Sequence, residues 1–441
     1  MIGLAGARVV VVDDKQDEAF PVLKAFSKRG ITAAFFDGRL RGLPRKKDRL
    51  IGVRLAVLDM HLGEGHDDNS VASALVRRVE RILHPGNGPY AVLIWTDHPE
   101  LREAFERYVF QSKEMPKPIF TAMITKAECK RGTAILFEHV AARINKELAK
   151  VGPLEFIQAW EGACFEAATS VSNALSKIAG EGLPELNAWR REWKTQTLRV
   201  LRALAQAEAG GRLNEENCFE SISAVLNPLH GDRMEREAPR LHKIVGHQAK
   251  EVIDVAGDCN PDRKAELNSM IHLAFRERKG FAPGTIHVYK NKKHLGWSAS
   301  FVDFLATFTH GGNHEQVAEA TSQLTNGSYP MIVEISAACD FAQKKLLANR
   351  FLCGLLTPVT LEKRVNEKAA YLKKIGPVMF ESKHVPKGQY NLYFSSRQVL
   401  SLSLNQTKRL RSDARLRGQA LSDLQSWFSY QATRQGMVLV T

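Results

Sequence analysis

The sequence lacks the features that would place the protein in a membrane or outside the cell. It has no apolar run near the roughly 18 residues that a membrane-spanning helix needs. Its longest apolar runs, Val9–Val12 and Ala91–Trp95, predict buried strands. Its six cysteines are scattered without a C-x-x-C pair, which argues against a disulfide framework or a zinc ribbon. The first residues lack the basic start and long apolar stretch of a signal peptide. These absences predict a cytoplasmic protein with no membrane segment.

Three common functional signatures are missing as well. The sequence contains neither a G-x-x-x-x-G-K-S/T phosphate loop nor a dinucleotide-binding glycine fingerprint. Its carboxyl-terminal half has no convincing helix-turn-helix pattern, so a transcription factor of that common type is not supported.

Charge and length are the most informative bulk properties. The 441 residues include 62 Lys and Arg against 48 Asp and Glu, for a formal net charge of +14, and 44 % are hydrophobic. At roughly 150 residues per domain, this length predicts two or three domains with real cores. Residues 361–441 contain 14 Lys and Arg against 5 Asp and Glu, and a second basic cluster lies in Gly38–Leu50, the basic loop. Such surfaces favour phosphate-bearing partners, although a solvated basic face explains them equally well.

Residues 1–130 alternate between strand-like and helix-like segments. The predicted strands are Arg8–Val12, Ile31–Phe36, Leu55–Leu58, Ala91–Trp95 and Ile119–Thr125. The predicted helices are Asp17–Arg29, Ser70–Leu83 and Glu100–Phe110. This alternation implies a doubly wound α/β domain, with helices on both faces of a parallel sheet.

Chemically useful residues follow four of these strands: Asp13-Asp14, Asp59, Thr96 and Lys126. Ligands of parallel sheets bind at the carboxyl ends of the strands, so we expect these side chains to meet. Three carboxylates repel one another unless a cation joins them, and Mg²⁺ suits carboxylate oxygens and can bridge a phosphoryl group. A carboxylate can itself be the nucleophile, with a hydroxyl and an ammonium holding the phosphoryl oxygens. The pattern predicts a phosphoryl-transfer site.

These motifs resemble the receiver domain of two-component response regulators, over residues 1–130 or about 30 % of the chain. The matching stretches are VVVVDD, LAVLDMHLG, VLIWTD and TAMITK, which contain the four sites in the family's order. The resemblance implies a flavodoxin-like fold with a five-stranded sheet, in which a partner histidine kinase phosphorylates Asp59. It also implies roles for Thr96 as the hydroxyl and Lys126 as the lysine of the site.

The same resemblance implies the metal ligands. Asp14 and Asp59 would bind Mg²⁺ directly, Asp13 would act largely through water, and the backbone carbonyl of His61 would be a third protein ligand. The sequence departs from the family pattern near the site, with Ala127 for a proline, Asp97 for a small residue, Met123 for an aromatic residue and Gly63 for a proline. A degenerate receiver that serves only for protein docking is therefore the alternative.

The rest of the chain matches no family pattern. We predict a receiver domain in residues 1–130, a mainly helical linker, dimerisation or output region in 131–280, and a basic α+β output domain in 281–441. The apolar stripes of the helical region predict either intramolecular core or a homodimer interface. In the last region the predicted elements are strands at Thr285–Tyr289, Tyr329–Ile335 and Tyr390–Phe394 and a helix at about Asp413–Gln431.

Two weaker constellations lie in this last region. Cys339 and Asp340 follow a predicted strand, so they are either a nucleophile or ligand pair or a buried cysteine beside a helix cap. Arg411, Arg415 and Arg417 are candidate phosphate contacts of a nucleic acid. The alternative for that segment is a final helix whose leucines and Trp427 face the core.

The sequence as a whole predicts a response regulator with an atypical output, a signalling phospho-acceptor rather than an enzyme. Two alternatives remain. One is a receiver-controlled nucleic-acid-binding or defence-system effector, and the other is a docking receiver joined to an enzymatic carboxyl-terminal domain.

Overall fold

The computed structural model describes most of the chain. The described residues are 7–60, 62, 67–98, 101–131, 134–148, 152–181, 185–210, 213–246, 249–255, 257–275, 282–289, 301–309, 314–337, 347–408 and 410–433. The chain divides into two compact units, Met1–Glu181 with Leu226–Val255, and Gly182–Val225 with Ala256–Thr441. No helix in these described ranges combines the length and the apolar character needed to cross a membrane. The three-domain organisation stays a prediction.

A parallel sheet forms the centre of the first unit. Its strands are β1 (Val9–Val12), β2 (Ala33–Phe36), β3 (Leu55–Leu58), β4 (Ala91–Trp95) and β5 (Phe120–Ile124). All pairs are parallel, and the order is β2-β1-β3-β4-β5. The inner strands β1, β3 and β4 are apolar runs buried on both faces, which is why their sequences show no alternation. The predicted flavodoxin-like, doubly wound sheet is confirmed.

Helices cover both faces of this sheet. They are α1 (Gln16–Ser27), α2 (Asp68–Ile82), α3 (Leu101–Gln111) and α4 (Phe137–Leu148). Successive strand side chains point to opposite faces, so Val10 and Val12 pack with α2 and α3, while Val9 and Val11 pack with α1 and α4. Asp67 is the N-cap of α2, and its side chain accepts hydrogen bonds from two backbone N–H groups of the first turn.

The connection from β2 to β3 is built differently. Parallel strands are usually joined through a helix, but residues 37–54 are fully described and contain no α-helix, only a 3-10 turn at Lys46–Asp48 and an isolated bridge from Leu50 to Leu83. The side chain of Leu43 is buried in the core that contains residues of α2 and α3. Arg78 of α2 donates from Nε to the carbonyl of Gly38 at 2.7 Å. Arg81 of α2 donates from Nη2 to the carbonyl of Pro44 at 3.3 Å, so the basic loop is attached to α2 at two points.

The middle of the chain is helical, as predicted. A two-stranded hairpin precedes α4, and longer helices follow it. These elements are β6 (Lys130–Arg131), β7 (Ala134–Ile135), α5 (Gly152–Gly180), α6 (Leu186–Ala209), α7 (Glu215–Val245), α8 (Ala249–Asp254) and α9 (Pro261–His272). Leu154 of α5 is buried in the core between the parallel sheet, α1 and α4. The beginning of α5 therefore belongs to the core of the first unit.

A seven-stranded antiparallel sheet dominates the second unit. Its strands are β8 (Leu273–Ala274), β9 (Thr285–Val288), β10 (Tyr329–Glu334), β11 (Ala348–Pro358), β12 (Leu372–Phe380), β13 (Gly388–Ser403) and β14 (Ala414–Leu416). Their order is β12-β13-β11-β10-β9-β14-β8. The accompanying helices are α10 (Phe301–Ala306), α11 (His314–Gly327), α12 (Leu404–Thr407) and α13 (Gly418–Thr433). The predicted α+β character is confirmed, and so are the three predicted strands.

The predicted helix at about Asp413–Gln431 is wrong in its first part. Ala414 and Leu416 are buried, and Arg415 between them is only half-buried, which is the period-two pattern of the strand β14. The helix α13 begins only at Gly418. Its residues Leu421 and Leu424 are buried in the core, as the alternative interpretation of that segment expects.

Helix α9 lies along the edge strand β12. Asn268 donates from its side-chain amide to the carbonyl of Pro377 at 2.8 Å. The hydroxyl of Ser269 accepts a hydrogen bond from the backbone N–H of Met379 at 2.7 Å. Two side chains of one helical turn therefore occupy backbone groups along this edge.

Candidate phosphoryl-transfer site

Two adjacent strands bring three aspartates to one edge of the parallel sheet. Asp13 and Asp14 directly follow β1, and Asp59 directly follows β3. Asp13 is fully buried and Asp59 nearly so, whereas Asp14 is exposed. The backbone N–H of Asp59 donates to the carbonyl of Val12 at 2.8 Å, and that of Lys15 donates to Oδ1 of Asp13 at 2.9 Å. The first bond continues the pairing of β3 with β1 as far as Asp59, and the second holds the Asp13 carboxyl group.

The three carboxylates converge on one point. One oxygen atom from each of Asp13, Asp14 and Asp59 lies within 4.8 Å of the other two. The remaining predicted ligand, the backbone carbonyl of His61, lies outside the described residues. Hard divalent cations prefer such oxygen ligands, and the exposed carboxylate leaves the cluster open to solvent. The arrangement can hold a divalent cation.

Lys126 belongs to the same cluster as the aspartates. It follows β5 at the start of a 3-10 turn (Lys126–Cys129), and its side chain is buried. Its Nζ atom lies 2.9 Å from Oδ2 of Asp59 and 3.3 Å from Oδ2 of Asp13. The structure therefore brings the predicted lysine into contact with both buried aspartates.

Glu18 is a member of this cluster that the sequence analysis missed. Its Oε2 atom lies 2.5 Å from Nζ of Lys126, and its Oε1 atom lies 3.3 Å from Nζ of Lys15. The residue sits in the first turn of α1, directly after the strand that ends in the acidic pair. An acidic residue in the first turn after a site-bearing strand is the signal that could have indicated it.

Negative charge exceeds positive charge in the cluster. Burial, with a smaller contribution from the charge of Asp59, raises the pKa of Asp13 from 3.8 to about 6, against the lowering effect of Lys126. The pKa of Glu18 is lowered, because its contacts with Lys126 outweigh its partial burial. The pKa of Lys126 is raised, because its carboxylate partners outweigh the cost of burial. One ammonium thus leaves the aspartates incompletely neutralised, which fits a site for a further cation.

Thr96 and Asp97 follow β4 at the same edge. Thr96 is buried, and its Oγ1 atom accepts a hydrogen bond from the backbone N–H of His98 at 3.1 Å. Oδ1 of Asp97 accepts a hydrogen bond from the backbone N–H of Ala127 at 2.9 Å, and Oδ2 lies 3.4 Å from Nζ of Lys130. These bonds link the end of β4 to the turn that contains Lys126.

At the opposite edge of the sheet, one carboxylate contacts two arginines. Arg8 precedes β1 and Arg54 precedes β3, so both lie at the amino ends of the strands that end in the site aspartates. Glu161 of α5 accepts hydrogen bonds from Arg54 at 2.9 and 2.5 Å and from Arg8 at 2.5 Å. The pKa of Glu161 is lowered because these arginines outweigh its partial burial.

The other predicted site residues lie in the second unit. Cys339 and Asp340 fall outside the described residues. Arg415 donates from Nε to the carbonyl of Pro283 at 2.9 Å, and Arg417 donates from Nε to the carbonyl of Leu273 at 3.0 Å. The backbone carbonyl of Arg411 accepts a hydrogen bond from the ring of His287 at 2.7 Å. Arg415 and Arg417 therefore stabilise the edge of the antiparallel sheet, and nucleic-acid contacts there stay a prediction.

The chain has a weak structural likeness to a solved structure and no sequence match. No family model matches the chain, and no curated protein matches it. Among solved structures, full-length FixJ from B. japonicum aligns with 14 % sequence identity and a TM-score of 0.21, covering 55 % of this chain and 99 % of that chain. At this TM-score the likeness carries no argument about function.

Proposed function

We propose that residues 1–130 are a receiver-type phospho-acceptor, in which Asp59 takes a phosphoryl group from a partner histidine kinase with Mg²⁺. One observation carries the proposal. Carboxylate oxygens of Asp13, Asp14 and Asp59 lie within 4.8 Å of one another, with Nζ of Lys126 2.9 Å from Asp59, at the carboxyl edge of a parallel sheet of order β2-β1-β3-β4-β5.

The position of Asp59 supports its role as the acceptor. It follows the central strand, with Asp13 on the neighbouring strand β1 and Lys126 in contact with its Oδ2 atom. In the proposed step, a carboxylate oxygen of Asp59 forms a bond to phosphorus while the phosphorus–nitrogen bond of a phosphohistidine breaks. The electron pair of that bond goes to the leaving imidazole, which takes up a proton. Lys126 would then bind a phosphoryl oxygen, and the hydroxyl of Thr96 on the next strand would hold another.

The donor set fits Mg²⁺. Asp13, Asp14 and Asp59 offer carboxylate oxygens only, and Lys126 contacts just two of these three aspartates. When bound, Mg²⁺ would neutralise phosphoryl charge and orient the phosphoryl oxygens for in-line transfer. The chain itself helps to position the ligands, since the N–H of Lys15 bonds to the Asp13 carboxylate and the N–H of Asp59 bonds to the carbonyl of Val12.

We further propose that phosphorylation acts on the output region through α5. Glu161 of α5 bonds to Arg8 and Arg54, the residues that precede the two site-bearing strands β1 and β3. A charge added at the carboxyl ends of these strands would be transmitted to their amino ends, where the helix is attached. We propose that this link controls the carboxyl-terminal α+β domain. It would also control a homodimer formed through the helical region.

The test uses beryllofluoride, a phosphoryl mimic, in the full chain. We expect Mg²⁺ with beryllofluoride to raise the melting temperature of the wild type, because a ligand that binds only the folded state stabilises it. Asp59→Ala should abolish the increase, while Asp48→Ala, which removes an exposed aspartate of the basic loop, should retain it. An equal increase in the Asp59→Ala protein, or none in the wild type, would overturn the proposal. Light scattering on the same samples tests whether the ligand also changes the oligomeric state.

A further inference from the structure

We propose that Glu18 is a positioning residue, which competes with the phosphoryl group for the ammonium of Lys126. The inference rests on the phospho-acceptor function proposed for Asp59. Of the three carboxylates around Lys126, Glu18 is the nearest, at 2.5 Å, against 2.9 Å for Asp59 and 3.3 Å for Asp13.

The donors of Lys126 are fully used in this arrangement. An ammonium group has three N–H donors, and three carboxylates surround it. A phosphoryl group on Asp59 adds anionic oxygens that also need a donor. A phosphoryl oxygen on Asp59 therefore competes with the neighbouring carboxylates for the donors of Lys126.

Of the two carboxylates other than the acceptor Asp59, Glu18 is the better placed to release Lys126. Asp13 is fully buried and accepts a backbone hydrogen bond at the end of its strand. The Glu18 side chain is partly exposed and has a second cation within reach, because Nζ of Lys15 lies 3.3 Å from its Oε1 atom. The Glu18 carboxylate can therefore release Lys126 and keep its contact with Lys15. Each phosphorylation event then includes the cost of breaking the contact between Glu18 and Lys126.

Two variants separate the effect of the Glu18 charge from the effect of its contact with Lys126. Glu18→Gln removes the charge, so we expect Mg²⁺ to bind about threefold more weakly and beryllofluoride about threefold more tightly. Glu18→Asp keeps the charge but shortens the side chain by one methylene. It should leave Mg²⁺ affinity near the wild-type value and still tighten beryllofluoride binding, because the ammonium is released.

The matched control is Asp17→Asn. Asp17 precedes Glu18 in the first turn of α1, is exposed, and has no contact with Lys126. This variant makes the same change in charge one residue away, so we expect it to leave beryllofluoride affinity unchanged. Calorimetry gives the Mg²⁺ affinity without any phosphorylation, and a beryllofluoride titration in saturating Mg²⁺ gives the second affinity.

The outcomes are distinguishable. Tighter beryllofluoride binding in both Glu18 variants, and not in Asp17→Asn, supports the positioning role. Wild-type affinity in both Glu18 variants, or the same gain in Asp17→Asn, overturns it while leaving the acceptor function intact. A wild type that binds Mg²⁺ but not beryllofluoride would instead reject the phospho-acceptor function, and the role of Glu18 with it.

Discussion

Asp97 accepts a hydrogen bond from the backbone N–H of Ala127 at 2.9 Å, and a proline at position 127 could not donate it. Both positions depart from the receiver pattern, which has a small residue where Asp97 stands and a proline where Ala127 stands. The two departures are therefore partners in one contact. The contact lies beside Lys126, so it helps to fix the turn that presents the lysine to the site.

This pair predicts a coupled effect of substitution. Ala127→Pro removes the donor and should lower the free energy of unfolding of the wild type. In an Asp97→Ala background the loss should be smaller by about 1 kcal/mol, the typical net value of such a hydrogen bond. Urea unfolding of the two single variants and the double variant measures the coupling. Strictly additive losses would show that the bond contributes nothing to stability.

The contact of Glu161 with Arg8 and Arg54 predicts that substituting Glu161 lowers the free energy of unfolding. Glu161→Gln weakens charge-assisted bonds in a partly buried site, so we expect a loss of about 1–2 kcal/mol. Glu166→Gln on the same helix is the control, because its ion pair with Arg240 is exposed and solvent screening leaves it little effect on stability. Urea unfolding gives both values. Faster hydrogen exchange in the first turns of α5 should accompany the Glu161 substitution alone, and equal effects of the two substitutions would contradict the prediction.

Substituting Glu334, at the end of β10, should raise the free energy of unfolding by an amount that depends on pH. The carboxyl group is fully buried, its Oε1 atom accepts from the backbone N–H of Ser336, and its Oε2 atom has no hydrogen-bond partner. Burial raises its pKa in the folded protein. Its contribution to stability is therefore complete below the unfolded pKa and is lost as the pH rises through the folded pKa.

Glu334→Gln removes this titration. The free energy of unfolding of the variant should match that of the wild type near pH 4 and exceed it by about 1–2 kcal/mol near pH 8, where folding of the wild type opposes ionisation of Glu334. Unfolding free energies across this pH range measure the difference. Glu381→Gln, an exposed control just after β12, should show no such trend. A pH-independent difference for Glu334→Gln would refute the assignment.

The amino-terminal fold was predictable because each of its signals is local. Strands such as β4 are short apolar runs that end in a polar residue, and Asp67 marks the start of α2 in the sequence itself. The three aspartates could be placed together because the carboxyl ends of parallel strands share one edge. Glu18 could not, since its partner Lys126 is 108 residues away and only the tertiary fold brings them together.

The strands of the carboxyl-terminal sheet were harder to predict from the sequence, and the reasons are again physical. In β11 the apolar run shows no alternation, which does not distinguish a strand from a helix. Gly354 within it reads as a break, yet a Cβ atom there would lie 2.5 Å from the carbonyl of Tyr393, so the strands need a glycine to approach. In β12 the pair Gly376-Pro377 reads as a loop, and the structure accommodates it as an irregularity in the pairing with β13.

The contact of α9 with β12 has a consequence for how the protein behaves at high concentration. An edge strand with unpaired N–H and C=O groups can recruit a strand from another molecule and begin aggregation. At Pro377 and Met379 those groups are already bonded to Asn268 and Ser269. A neighbouring molecule would have to displace the helix before it could add a strand there, so α9 protects this sheet against self-association.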